Sequence, residues 1–155
     1  MTRHVTPAIV LLLIYLGTGA CHSQQKNMEN EIKFYDCMLR AVDWENPMSN
    51  NRWITGPSEA AASGLHFTKA SLNARDLSNL YQSTAQYVFV LGGGDRWVTA
   101  EKCTGKITGD TLVIMYRPHI RAAPVGEAAP SVICLELNRL NFPGYKKLKI
   151  VFREV

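Results

Sequence analysis

The chain has 155 residues, of which 46% are hydrophobic and 19% charged. That length fits one globular domain, and that balance excludes an intrinsically disordered chain or a multi-pass membrane protein. The 17 Lys and Arg against 13 Asp and Glu leave a formal charge of +4, an excess too small and too scattered to mark a nucleic-acid partner.

In chain order, Arg3 and His4 precede an unbroken apolar run, Ala8 to Leu16, which ends in Gly17-Thr18-Gly19-Ala20-Cys21. A basic start, a short apolar run and then small residues is the layout of a secretory signal peptide. The run is too short for a permanent bilayer span, which needs roughly 20 apolar residues. Residues 1–20 are therefore expected to be a signal peptide. Thr18-Gly19-Ala20-Cys21 also has the lipobox form, in which Cys21 is diacylated and acyl chains supply the membrane anchor. Cleavage by signal peptidase I after Ala20 is the alternative, because Thr18 and Ala20 are both small. The expected location is the cell envelope, as an outer-membrane lipoprotein, or else the secreted fraction. Residues 21–30 are polar and suit a tether, leaving 31–155 as a single β-rich domain.

An exported domain occupies an oxidising space, so its cysteines are candidates for bridging. With Cys21 lipidated, Cys37, Cys103 and Cys134 make one disulfide and one leftover thiol. With Cys21 free, four cysteines allow two bridges in three connectivities. Cys103 and Cys134 both fall in apparent strands and are the expected pair. Closing that loop of about 30 residues contributes roughly 3–4 kcal/mol in the chain-entropy model. The Cys and His residues nowhere show zinc-ligand spacing, so neither a metal nor a cofactor is expected.

Glu31 to Trp44 fits two periods. Ile32, Tyr35, Leu39 and Val42 suit a helix, whereas Ile32, Phe34, Met38 and Val42 also read as alternation. Glu45 to Gly64, with Pro47, Asn50, Asn51, Gly56 and Pro57, is expected to be a long exposed loop. Ser71 to Tyr81 suits a short helical turn. Tyr87 to Leu91 is a strand that stops at Gly92-Gly93-Gly94, and Arg96 to Cys103 resumes as another, so the glycines are expected to turn a hairpin. Lys106-Ile107-Thr108 and Thr111 to Tyr116 flank Gly109-Asp110, a two-residue hairpin with glycine where a positive φ is needed. Ser131 to Asn138 sets Ile133, Leu135 and Leu137 against Val132, Cys134 and Glu136. Lys147 to Arg153 alternates Leu148, Ile150 and Phe152 with Lys147, Lys149 and Arg153, and its lysines suit a protected edge. The expected fold is mainly β: a small antiparallel barrel or sandwich, built as a meander, with a short N-terminal helical segment.

Catalytic signatures are missing. No G-x-S-x-G elbow, H-E-x-x-H helix or G-K-[ST] phosphate loop is present, and Gly92-Gly93-Gly94-Asp95 lacks the Lys and helix of a phosphate cradle. The expectation is that the protein is not an enzyme. Two segments resemble binding equipment instead. Tyr116 to Pro130 joins two strands through about 13 residues, where a hairpin usually takes 2–5. Its prolines favour an extended backbone that loses little entropy on docking, and Pro118, His119, Ile120, Arg121 and Ala122 are the candidate contact residues, with Arg121 offered to a pocket. Arg52, Trp53 and Ile54 form a second candidate loop, whose Trp suits either an exposed anchor or the core.

Three segments together carry a resemblance: Thr18 to Cys21; Asp76-Leu77-Ser78-Asn79-Leu80-Tyr81 ahead of the strand Tyr87–Leu91; and the closing strand Tyr145–Glu154. A short lipobox leader, one small β domain and no catalytic motif resemble the small surface lipoproteins of Bacteroidota, among them the potempin-type peptidase inhibitors. The resemblance implies an OB-like barrel presenting a loop to a peptidase cleft. The functional expectation is an exported, lipid-anchored binding protein that inhibits a secreted peptidase by loop insertion. An immunity or lysozyme-inhibitor-like periplasmic protein, whose partner is another envelope enzyme, and a structural envelope lipoprotein are the alternatives.

Overall fold

The computed structural model describes residues 32–67, 74–120 and 130–155. The leader, Cys21 and the tether lie outside the described residues.

The first strand, β1 (Ile32–Met38), takes the alternating one of the two periods. Ile32 and Phe34 turn into one core, and Cys37 turns into another on the opposite face. The expected N-terminal helical segment is thus a strand. Its backbone is paired on both sides, which a helix in this place would forgo.

The stretch expected to be an open loop is ordered by its own polar side chains. Asn50 is buried; its amide nitrogen donates to the carbonyls of Asp43 and Pro47, both at 3.0 Å, and its oxygen accepts from the Asp43 N–H at 2.9 Å. Strand β2 (Arg52–Ile54) follows, then helix α1 (Pro57–Ser63). The residues that resemble loop punctuation have positional duties here. Pro57 starts α1, and Glu59 reaches back to accept from the Thr55 N–H at 2.6 Å. Gly64 ends α1 at φ +59°, where a Cβ would sit 2.3 Å from Arg40 Cβ, so only glycine fits.

Next come β3 (His66–Phe67), helix α2 (Ala74–Ser83) and β4 (Thr84–Leu91). The glycines do turn the chain back, with Gly93 and Arg96 exchanging backbone hydrogen bonds of 2.8 and 3.2 Å, but the strand that follows, β5 (Arg96–Trp97), has only two residues and does not continue the pairing along β4. Gly92 lies at φ +84°, and its Cα faces the Arg96 carbonyl so closely that a Cβ would approach that oxygen to 2.7 Å, so the turn needs glycine there. β6 (Cys103–Thr108) and β7 (Thr111–Tyr116) are the anticipated hairpin, with Thr108 opposite Thr111 and Gly109 at φ 60°. β8 (His119–Ile120), β9 (Ser131–Asn138) and β10 (Lys149–Glu154) complete the described elements.

The strands form a mainly β, sandwich-like fold instead of a meander. One sheet has the order β2-β4-β9-β1-β3 with every pairing antiparallel; a second has the order β10-β7-β6; β5 and β8 make a separate two-stranded ribbon. β10 runs parallel to β7. Among the described residues both larger sheets end in unpaired edges and do not close, so the fold is sandwich-like and not a barrel. The charged strand β10 is one of those edges, as its lysines led us to expect.

Alternation along the central strands assigns each side chain to a layer. Ala85, Tyr87 and Phe89 of β4, with Ile133, Leu135 and Leu137 of β9, pack against Leu112 and Ile114 of β7 and Phe152 of β10. Phe89 is fully buried, 5.3 Å from the Phe152 ring and 6.5 Å edge-on from Phe34. The opposite face of the five-stranded sheet carries Cys37, Ile54, Val88 and Cys134, covered by Ala60 of α1 and Tyr81 of α2.

This layering also corrects the expected disulfide. Cys103 lies in the core between the two sheets, whereas Cys134 lies in the core under the helices. The five-stranded sheet separates them. Cys37, Cys103 and Cys134 are all buried thiols, and the neighbour of Cys134 is Cys37.

Candidate functional site

The segment expected to meet a partner springs from the β5–β8 ribbon. Arg96 pairs with Ile120 and Trp97 with His119, a directly opposed antiparallel register that brings side chains of one face together. The Trp97 and His119 rings stack with centroids 5.0 Å apart and planes 14° from parallel. Beside them Ile120 is 65% exposed, a large aliphatic side chain held in solvent at the strand end. Pro118 and His119 are half-buried. Arg121 and Ala122 lie outside the described residues.

The ribbon is tied to the body at several points. The Arg96 guanidinium pairs with Glu154 of β10, and that hydrogen bond holds its charge still more firmly. Arg117 donates its backbone N–H to the Lys102 carbonyl at 3.1 Å and its Nε to the Val155 carbonyl at 3.4 Å. Val98 donates its N–H to the Ser131 hydroxyl at 2.9 Å, tying the strand leaving the ribbon to the start of β9. Pro130, where the described chain resumes, lies beside Gly93 of the glycine turn. Both flanks of residues 121–129 are therefore fixed at one end of the molecule.

The second candidate loop has a different place. Arg52, Trp53 and Ile54 form β2, paired with Val88, Tyr87 and Gln86 of β4. The Trp53 ring packs against Tyr87 at 5.0 Å and Tyr145 at 4.8 Å, and Ile54 is buried on the other face. Alternation across the paired strand sends Ile54 and Trp53 to opposite faces, and Trp53, half-buried, packs on the edge of the core between the sheets.

Sequence reasoning missed a polar row on the helix-covered face. Lys33, Glu136 and Gln86 stand opposite one another across β1, β9 and β4. Gln86 is completely buried; its carbonyl accepts from the Tyr81 hydroxyl at 2.5 Å, and its amide nitrogen has no partner among the described residues. Burial raises the Glu136 carboxyl above its ordinary range, with Lys33 opposing part of the shift. The Tyr35 hydroxyl is raised by burial and by the Glu136 charge; Tyr81 is raised by burial, with Cys134, Glu59, Cys37 and Glu136 adding to it. The readable signal was a Gln and a Glu inside otherwise apolar strands. Chemically this row can take up a proton; it has the character of a structural network.

Asp36 accepts from the Ala100 N–H at 2.8 Å and so links β1 to the 3-10 turn before β6. No protein-family model, curated protein or solved structure matches the chain.

Proposed function

We propose that this is an exported protein, anchored at the cell envelope through Cys21, that inhibits a secreted peptidase by presenting residues 118–130 to its cleft. The observation that supports this reading is the exposed end built from the β5–β8 ribbon. There the stacked Trp97 and His119 rings and the exposed Ile120 lie where the long connection departs. A backbone held at both flanks loses less entropy on docking than a free peptide. An aromatic and aliphatic cluster beside arginines has the composition of an interface centre. A standard interface needs about 800 Å² per partner, which a ribbon and its connection can supply.

The test titrates the purified chain into secreted serine peptidases and metallopeptidases, with lysozymes as a second panel. The expected result is near-stoichiometric inhibition of a peptidase, weakened at least about tenfold by Ile120→Asp or Trp97→Ala. Ile120 is an exposed site where a substitution alters stability by only about 0.5 kcal/mol, so an unchanged melting temperature of Ile120→Asp separates lost docking from lost folding. Folded protein that inhibits no peptidase at high molar excess refutes the reading. Inhibition confined to lysozymes would replace the peptidase with a cell-wall enzyme.

A further inference from the structure

Two cysteines on neighbouring strands take no part in the docking end. Tyr35 of β1 stands opposite Cys134 of β9, so Cys37, two residues further along, is diagonal to Cys134 on the same sheet face. Both side chains are buried in the cluster of Ile54, Ala60, Leu65, Tyr81 and Val88. Cys103 is on the far side of the sheet, where its thiol is hydrogen-bonded to the Thr99 carbonyl at 3.6 Å. The fold thus brings together one pair of thiols and isolates the third.

We propose that Cys37 and Cys134 form the disulfide of this protein, joining β1 to β9 under the helices, while Cys103 stays a thiol. The oxidant is a small or protein disulfide of the glutathione or dithiol class. One cysteine, as thiolate, attacks a donor sulfur; a mixed disulfide forms and the first donor thiolate leaves. The second cysteine loses its proton, attacks the protein sulfur of that mixed disulfide and expels the second donor thiolate. Two electrons and two protons pass to the donor, which is reduced to two thiols. Diagonal positions on neighbouring strands lie at the outer limit of the Cα separation a disulfide spans, so closing the sulfurs to about 2.05 Å requires a small shift of the two strands together with side-chain rotation. The bridge closes a loop of roughly a hundred residues, so it restricts the unfolded chain far more than a bridge between near neighbours would.

The neighbouring Cys37 thiol, and then burial, push the Cys134 thiol well above its ordinary range. Little thiolate then exists in the folded protein, and a native thiol pair is protected from exchange once the helices cover it. Oxidation therefore belongs to the folding stage. The presence of an oxidant rests on the export reading, but the choice of partners rests on the sheet register alone.

The test refolds the purified full chain from denaturant in a glutathione redox buffer, traps thiols with iodoacetamide and maps peptides without reduction. The export reading plays no part in that tube, so its failure and the failure of the pairing are distinguishable. The expected product is a Cys37–Cys134 linked peptide two hydrogens lighter than its parts, with Cys103 alkylated. The oxidised protein melts several degrees above the reduced protein. That difference disappears in the Cys37→Ala/Cys134→Ala double variant and persists in Cys103→Ala. Alkylation of both Cys37 and Cys134 in a chain with native circular dichroism, or a link from either one to Cys103 or Cys21, overturns the proposal.

Discussion

Glu136 lies in a strand between Leu135 and Leu137, yet its own side chain faces the layer under the helices, beside Lys33 and Gln86. Burial raises its carboxyl, so folding favours the protonated form. Its stabilising contribution is complete below the ordinary carboxylate range of about 4.3 and is lost as pH rises through the raised native value. At neutral pH the ionised group therefore opposes folding. Glu136→Gln keeps the shape and removes the charge. The variant is expected to melt above the native protein at about pH 7.5, with the two converging at about pH 4. Equal melting temperatures at both pH values would mean that Glu136 is as well solvated in the fold as in the unfolded chain.

Short elements depend on the neighbours they pack against. Strand β2 has three residues, too few to hold itself, and is fixed by pairing with β4 and by the contacts of Trp53 with Tyr87 and Tyr145. Trp53→Ala removes those ring contacts at a cost of about 3 kcal/mol in denaturant unfolding. Inhibition per folded molecule is expected to stay unchanged, since Trp53 is remote from the docking role given to Trp97. A variant as stable as the native protein would sink the anchoring role. The longer strands β7, β9 and β10 were legible because each alternates over six or more residues. β2 and β8 were not, because two or three residues carry no period, and for the same reason β5 was read as longer than its two residues. Nor was the polar clasp of Asn50, which uses loop-forming residues to build order.

The close approach of the two sheets depends on a residue with no side chain. Gly105 of β6 faces β1 so closely that a Cβ would lie 3.0 Å from Phe34 Cζ and 3.1 Å from Ile32 Cγ2. Gly105→Val drives two more methyl groups into that junction and is expected to destabilise the protein by about 1–3 kcal/mol, measured by chemical denaturation. An unchanged stability would show that the junction can open without loss. The same arrangement explains the cysteine correction: strand residues one apart in parity enter different cores, and parity alone cannot say which strands become neighbours.

Local chemistry was enough to establish a mainly β domain, the Gly109 hairpin, the inward face of β9 and the charged edge of β10. Each depends on side chains a few residues apart, and the period of two is written directly in such runs. The pairing of β1 with β9, the parallel contact of β10 with β7, the packing of Trp53 on Tyr87 and the neighbourhood of Cys37 and Cys134 came only with the folded chain. Those features join segments tens of residues apart. Their free energy comes from burying both faces of a sheet at once, and no local pattern encodes which distant strand completes that burial.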